Sequence, residues 1–199
     1  MDHCDKFDSL PDSEIWQLLK EGNRKALKTL FDKYYNDLYS YAYKISRDKA
    51  LSKDCVQELF YRVWDRKEHL SDISSVKAYL WVSLRRDVFK AISRDDKTIH
   101  SEDIISYPEL LSFTHEDFII QKEKKEEQKE ALLRALNNLP DRHREAIFLK
   151  YFNGLSYSEI QQVMSVNYQT ARNYIYHGVK ALKKEFEGKI FVSSIKEAI

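Results

Sequence analysis

Residues 154–178, GLSYSEIQQVMSVNYQTARNYIYHG, decide how the C-terminal part of this chain folds. Ser156 and Glu159 form an S-x-x-E pattern, in which each side chain caps a backbone N–H at the start of a helix. After a short turn, Asn167 can cap a second helix. Two helices around a tight turn are typical of a helix-turn-helix, which places its second helix in the major groove of DNA.

The second helix of this pair is predicted to be amphipathic. Its apolar residues recur at steps of four, four, three and four, and they are Ala171, Ile175, Val179, Leu182 and Phe186. The polar side chains of Arg, Gln and Asn near a helix start can bond base edges, and later Lys residues can hold phosphates. The candidate DNA-binding residues are Gln169, Arg172, Asn173, Tyr176, His177 and Lys180. An ordinary helical hairpin with a hydrated polar face is the alternative.

The composition of the chain favours an all-α protein. It has only 4 Gly and 3 Pro in 199 residues, against 33 Lys+Arg and 32 Asp+Glu, so few residues break helices and many favour them. The net charge of +1 lacks the basic excess that is typical of nucleic-acid-binding proteins, so any DNA binding must come from local basic patches.

The sequence indicates neither an enzyme nor an exported protein. Cys4 and Cys55 lie far apart with no zinc spacing, and no Ser/His/Asp, HExxH or P-loop pattern occurs, so we expect no catalytic residues, metal or cofactor. No stretch approaches the roughly 20 apolar residues that span a bilayer. We expect a reduced, cytoplasmic protein.

Helical periodicity divides the chain into two small domains. The first covers 14–97, the second 128–187, and tails occupy 1–13 and 188–199. In the first domain a third helix is predicted to begin near Ser52, as its cap, and a fourth to cover 75–95. Residues 98–127 are acidic, contain Pro108 and lose the period, which predicts a flexible linker of about 100 Å when fully extended.

The fourth helix carries a basic excess that the net charge conceals. Between residues 77 and 97, six Lys/Arg stand against three Asp. Its apolar stripe is expected to bury Trp81, with Tyr79 on or beside that stripe. The basic residues expected on its surface are Lys77, Arg85, Arg86, Lys90 and Arg94.

Three segments together carry a family likeness: DCVQELFYRVW (54–64), KAYLWVSLRRDVFKAI (77–92) and ALNNLPDRHREAIFLKYFNGLSYSEI (135–160). In order and spacing they resemble bacterial RNA polymerase sigma factors of the extracytoplasmic-function (ECF) group, in details those of Bacteroidetes-type bacteria. The likeness runs from about residue 14 to 186. It implies a promoter-selecting subunit, with sigma domain two at 14–97 and sigma domain four at 128–187.

The resemblance also implies partners and roles. Asp54, Gln57 and Glu58 match the D-x-x-Q-E residues that dock on the clamp helices of the polymerase β′ subunit. The fourth helix and the loop SDISSV (71–76) would bind the downstream promoter element as its strands separate. The helix-turn-helix would bind the upstream element. Further implied partners are the β flap and an anti-sigma factor, with the linker near the template or RNA path.

The chain departs from the family pattern at several positions. Ser165 stands where the family has Gly in the turn, and a serine in a left-handed conformation is strained. Tyr174 and His177 stand where Arg is common. Gly178 replaces the usual Ala inside the second helix, which costs about 0.5–1 kcal/mol of helix stability.

The residues alone leave other functions open. A self-sufficient helix-turn-helix regulator would use residues 1–127 as a sensor or dimerisation domain and would bind palindromic DNA without polymerase. A helical adaptor or sequestering protein would have no DNA role. Both basic patches would then be solvated faces. For the polar face of 54–58 taken alone, a solvated acidic surface is the alternative to docking.

Overall fold

A computed structural model of the chain describes residues 10–95, 111–114 and 126–185, with backbone alone at 94, 95, 126–129 and 185. The chain divides into two compact units, Met1–Ile104 and Ile105–Ile199. All regular structure in the described residues is helical. The predicted all-α fold with two small domains and a C-terminal helix-turn-helix is confirmed, whereas the domain bounds of 14–97 and 128–187 stay predictions.

In the first unit, residues 10–95 form four α-helices arranged around one long helix. Its elements are α1 (Asp12–Lys20), α2 (Arg24–Ser46), α3 (Lys49–Asp65), a 3-10 turn (Lys67–His69) and α4 (Val76–Asp95). The long helix α2 packs against each of the other three α-helices. Large side chains that are almost fully buried fill the centre, among them Trp16, Tyr41, Trp81 and Phe89. The core position expected for Trp81 is confirmed, and Tyr79 is half-buried, with the centre of its ring 5.2 Å from that of Trp16 in an edge-to-face contact.

The start of α3 differs from the prediction. The cap is Asp48, whose carboxylate accepts hydrogen bonds from the N–H groups of Ala50 and Leu51. Ser52 lies inside the first turn, fully buried, and its hydroxyl donates to the carbonyl of Asp48. The prediction that Ser52 caps this helix is wrong, because both residues are good caps and the earlier one binds the free N–H groups first.

The second unit consists of short helices and one long helix. They are α5 (Glu126–Asn137), α6 (Asp141–Ile147), a π turn (Phe148–Phe152), α7 (Tyr157–Val163) and α8 (Tyr168–Glu185). Helix α8 packs against α5, α6 and α7. Gly154 follows the π turn with φ 62° and ends this helical run, as its sequence position predicts.

The helix-turn-helix forms as its caps predict. Ser156 and Glu159 make a full capping box at α7, and the Asn167 side chain accepts from the N–H of Thr170 at α8. Between the helices, Ser165 adopts the left-handed conformation with φ 53°. The turn therefore has the backbone form that suits glycine, at a strain of about 1 kcal/mol.

Gly178 is a packing residue of α8. A Cβ at this position would lie 3.0 Å from Ile147 Cγ1 and 3.7 Å from His143 Cβ, so the missing side chain lets α8 lie close to α6. Gly178 is buried, whereas Val179 is half-buried. The buried stripe is therefore Ala171, Ile175, Gly178 and Leu182, and Val179, which was expected on this stripe, is only half-buried. Phe186 lies outside the described residues.

Part of the predicted linker packs on the second unit. Leu111 and Phe113 are 4% and 3% exposed, and the main chain at 111 and 113 bonds to Arg144 and Asn137. The remaining linker positions before α5, and both tails apart from Leu10–Ser13, lie outside the described residues. Among the described helices, none is long and apolar enough to cross a membrane.

Candidate functional site

The polar residues predicted to dock on a partner share one face of α3. Asp54, Gln57 and Glu58 are all exposed, because steps of three and four place them on one side of a helix. The opposite side carries Val56, Leu59, Phe60 and Val63, all of them buried in the unit-one core. The structure therefore brings these three side chains together on the surface.

This face borders an open groove between α3 and α4. The groove is lined from α3 by Asp54, Gln57, Glu58, Tyr61 and Arg62, and from α4 by Asp87, Lys90 and Ala91. Arg62 pairs with Asp87 across the two helices, and its guanidinium lies 4.0 Å from the Glu58 carboxylate. The Arg62–Asp87 pair holds the helices together beneath the exposed carboxylates.

The cysteine in the groove wall is unreactive. Burial, together with the nearby carboxylates of Asp87 and Asp54, raises the pKa of the Cys55 thiol to about 11. At neutral pH the thiol is therefore protonated, and only a thiolate is a good nucleophile or metal ligand.

Tyr61 was missed by the sequence reasoning. It is 63% exposed and lines the same groove as Gln57 and Glu58. The available signal was its spacing of four and three from those residues, which places it on their face. An exposed aromatic ring beside carboxylates is a frequent anchor in protein interfaces.

The five basic residues predicted on α4 do not form one surface. Arg86 and Lys90 are exposed, and Lys90 lines the α3–α4 groove. Lys77 is half-buried, with Nζ 5.6 Å from the Trp81 ring. At 100° per residue, Lys77 and Arg86 point in opposite directions.

Arg85 is buried, although this set of basic residues was expected on the surface. Its side chain is only 7% exposed and its guanidinium lies 4.6 Å from the centre of the Phe89 ring, so the expectation that Arg85 is on the surface is wrong. A count of charges along the sequence cannot detect that a long charged side chain is buried in this way. The side chain of Arg94 lies outside the described residues.

The loop at 71–76 is anchored at both ends. Trp16 Nε1 donates to the carbonyl of Ser71, and Gln17 donates to Asp72 at 2.9 Å. Hydrogen bonds from Lys20 and Gln17 lower the pKa of Asp72. At the other end, the Ser75 hydroxyl accepts from the N–H of Ala78 and caps α4.

The six residues predicted to read upstream DNA are all exposed on α8. They occupy an arc of about 140° at 100° per residue, opposite the buried stripe. The Gln169 amide donates to Asn173 at 3.0 Å, so these two polar ends are already held side by side. Tyr176 is 61% exposed, and Tyr168, which the sequence reasoning did not include, is 44% exposed at the start of the helix.

The positions at which the family commonly has Arg make aromatic contacts. The His143 ring of α6 lies 5.1 Å from Tyr174 and 6.3 Å from His177. Burial lowers the pKa of His143, and the charge of His177 lowers it further. Tyr174 is half-buried in this contact, whereas His177 remains exposed.

Comparisons with known proteins agree with this architecture. Residues 30–98 match the family model "Sigma-70 region 2", and residues 129–182 match "Sigma-70, region 4". ECF RNA polymerase sigma factor SigM of Bacillus subtilis (strain 168) is 25% identical over 154 residues, which cover 77% of this chain and 91% of SigM.

Solved structures show the same fold. CnrH, in complex with the cytosolic domain of CnrY, matches with a TM-score of 0.58 at 16% identity, over 89% of this chain and 98% of CnrH. Sigma factor RpoE from Bartonella quintana, in complex with the anti-sigma factor NepR, matches with a TM-score of 0.56 at 20% identity, over 82% of this chain and 98% of RpoE. The region 2 unit, the region 4 helix-turn-helix and the ECF relatives together show that the chain belongs to the sigma-70 family as a sigma factor of the ECF type.

Proposed function

We propose that this sigma factor binds the RNA polymerase core through α3 and directs promoter recognition and strand separation at initiation. The observation that supports it best is the exposed face of Asp54, Gln57 and Glu58 beside the α3–α4 groove. These residues match the family's docking motif, and the helix presenting them is fixed by a buried opposite face. In the family such factors are regulatory DNA-binding proteins and not enzymes.

Docking would rely on charge and shape together. Two carboxylates one helical turn apart can pair with Arg side chains of a partner helix, and charge-assisted hydrogen bonds are roughly twice as strong as neutral ones. Tyr61 would add apolar area in the groove. Arg62 and Asp87 neutralise each other beneath this face, so the net charge offered to the partner is negative.

Unit one would capture the downstream element through its anchored loop and α4. Ties at Ser71, Asp72 and Ser75 restrain the loop before DNA arrives, which reduces the entropy lost on binding an unstacked base. Arg86 and Lys90 are the exposed side chains of the predicted basic set that can reach phosphates. Arg85 is buried and contributes through packing.

Unit two would hold the upstream element with α8 in the major groove. Gln169, Arg172 and Asn173 stand in the first turns, where side chains of a recognition helix contact bases. Lys180, with Lys183 and Lys184, follows on the exposed side and can hold phosphates. With about four basic contacts, the logarithm of affinity would fall with the logarithm of salt at a slope of only about 3–4, so duplex binding depends on the polymerase for further contacts.

Co-elution with polymerase core tests the proposal. Wild-type protein should co-elute with core at matched salt, and the Asp54→Ala/Glu58→Ala variant should not, while its circular dichroism stays unchanged. Glu21→Ala/Glu68→Ala, which removes two exposed carboxylates of unit one outside α3, is the matched control and should co-elute like wild type.

Failure of the wild-type protein to associate with core would contradict the proposal and favour a stand-alone helix-turn-helix regulator. That regulator would bind a palindromic site tightly in the absence of polymerase. Equal loss of association in the control variant would show that total charge, and not the α3 face, governs binding.

We also propose an anti-sigma factor as a regulatory partner that covers the polymerase-facing or DNA-facing surfaces. Of the similar solved structures, RpoE is bound to the anti-sigma factor NepR, and CnrH is bound to the cytosolic domain of CnrY. When this protein is purified from its native cells, part of it should therefore be bound to a protein other than RNA polymerase. Recovery only as free or polymerase-bound protein would contradict this. The likeness to Bacteroidetes-type factors stays a prediction.

A further inference from the structure

A short piece of the chain before α5 lies in a groove of unit two. In residues 111–114, the Phe113 N–H donates to Asn137 Oδ1 at 2.8 Å, and the Asn137 amide donates back to the Phe113 carbonyl at 3.0 Å. This two-way contact satisfies both main-chain groups of one residue with a single side chain, as a neighbouring β-strand would. Because both hydrogen bonds involve only the main chain of residue 113, they do not depend on its side chain.

Two side chains of this segment are buried at alternate positions. The Phe113 ring lies 5.0 Å from Phe152 and 5.8 Å from Phe148, and those two rings stack at 5.2 Å. Leu111, two residues earlier, is 4% exposed. In extended chain, residues two apart lie on the same side, so the groove accepts a Leu-x-Phe pattern.

The groove is held rigid by one arginine. The Arg144 guanidinium donates to the carbonyls of Asn137 and Leu139 at 2.9 and 2.8 Å, which fixes the end of α5 and the loop after it. The same guanidinium donates to the Leu111 carbonyl at 2.6 Å. The π turn contributes Phe148 and Phe152 on one side, since its wider winding places residues four apart with their rings stacked.

These contacts are those of a peptide-binding site. Main-chain hydrogen bonds supply affinity for any extended chain, and pockets for alternate side chains supply specificity. Neither Asn137 nor Arg144 is among the residues that dock on polymerase or read DNA in the proposed function. The site is therefore separate from both candidate surfaces.

We propose that the groove formed by Asn137, Arg144, Phe148 and Phe152 is a binding site for an extended Leu-x-Phe peptide, occupied in cis by residues 111–114. Docking shortens the connection between the units. The 15 residues 96–110 can span at most about 55 Å between Asp95 and Leu111, against about 105 Å from Asp95 to Glu126 when the segment is released. Occupancy of the groove therefore sets how far the DNA-reading unit can extend from the first unit.

Addition of the peptide in trans to the full-length protein tests this. The probe is a fluorescein-labelled synthetic peptide of residues 109–116, ELLSFTHE, followed by fluorescence anisotropy. The Leu111→Ser/Phe113→Ser variant, with its own segment released, should bind the probe at least tenfold more tightly than wild type, because a tethered competitor has an effective concentration in the millimolar range. A control peptide, ELSSSTHE, should not bind.

Two results would overturn the proposal: equal affinity of wild type and variant for the probe, or equal binding of the control peptide. Adding Asn137→Ala to the released variant should weaken probe binding at least tenfold, and unchanged binding would also overturn it. If circular dichroism shows that the Leu111→Ser/Phe113→Ser variant does not fold, hydrogen exchange of the Phe113 amide tests the docked segment instead. In the Asn137→Ala single variant the Phe113 amide should exchange at least tenfold faster than in wild type, and an unchanged rate would refute the docked segment.

Discussion

Replacement of Gly178 by alanine should destabilise unit two, although alanine is the better helix former. In an exposed helix the change would stabilise by about 0.5–1 kcal/mol. Here the added Cβ would lie 3.0 Å from Ile147 Cγ1 and 3.3 Å from Cδ1, well inside the 3.5–4.0 Å optimum for carbon pairs. Ile147 is fully buried and has no solvent side to move towards. Overpacking costs about 1–3 kcal/mol, so a net loss of about 0.5–2 kcal/mol is expected.

A double-mutant cycle with Ile147→Ala separates the two effects. Removal of Cγ1 and Cδ1 eliminates the clash, so in that background Gly178→Ala should stabilise by about 0.5–1 kcal/mol, which gives a coupling of about 1–3 kcal/mol. Urea unfolding of the four proteins by far-ultraviolet circular dichroism measures this. All three tryptophans, at 16, 64 and 81, lie in unit one, so their fluorescence transition is an internal control that should not change. Stabilisation by Gly178→Ala in the wild-type background, or a coupling near zero, would refute the packing role assigned to Gly178.

Three further substitutions have definite expected outcomes. Asp48→Ala should cost about 1 kcal/mol of unit-one stability in urea unfolding through loss of the α3 cap, and no change would refute the capping assignment. Ser165→Gly should stabilise unit two by up to about 1 kcal/mol, because glycine relieves the left-handed strain at φ 53° but loses more entropy on folding; destabilisation would show that the serine is unstrained. Burial and then the charge of His177 lower the pKa of His143 in the folded state, so its contribution to stability is complete above about pH 6.5 and is lost as the pH falls towards the folded value. His143→Gln should therefore reduce the difference in unit-two stability between pH 7.5 and 5.5, while His69→Gln, at an exposed position in unit one, should leave it unchanged.

The helical elements and the exposed polar face of α8 could be predicted because they depend on local patterns. The capping box at Ser156 and Glu159, the cap at Asn167 and the exposed residues of α8 follow from hydrogen bonds and spacing within a few residues. The exposed polar face of α3 was predictable for the same reason, because its residues share a face through the helical period. The docking role that the motif implies stays a prediction.

The predictions failed where a side chain had two local options or a distant partner. Asp48 and Ser52 are both suitable caps, and the backbone selected the earlier residue. Arg85 belongs by spacing to a surface charge set, yet it is buried in unit one and its guanidinium lies over the Phe89 ring. Which face of α4 is buried depends on how the helices of unit one pack together, and that cannot be read from one helix.

The sequence by itself determined an all-α chain with two helical domains, a helix-turn-helix near its C-terminus and an acidic face on α3. Helical periodicity and caps are properties of neighbouring residues, so they survive without knowledge of the rest of the molecule. Tertiary structure alone decided that Gly178 brings α8 against Ile147 of α6 and that Leu111 and Phe113 occupy a groove of unit two. Both depend on contacts between residues 24 to 39 positions apart. Their free energy comes from burial, close packing and hydrogen bonds, and such contacts leave no periodic trace in the sequence.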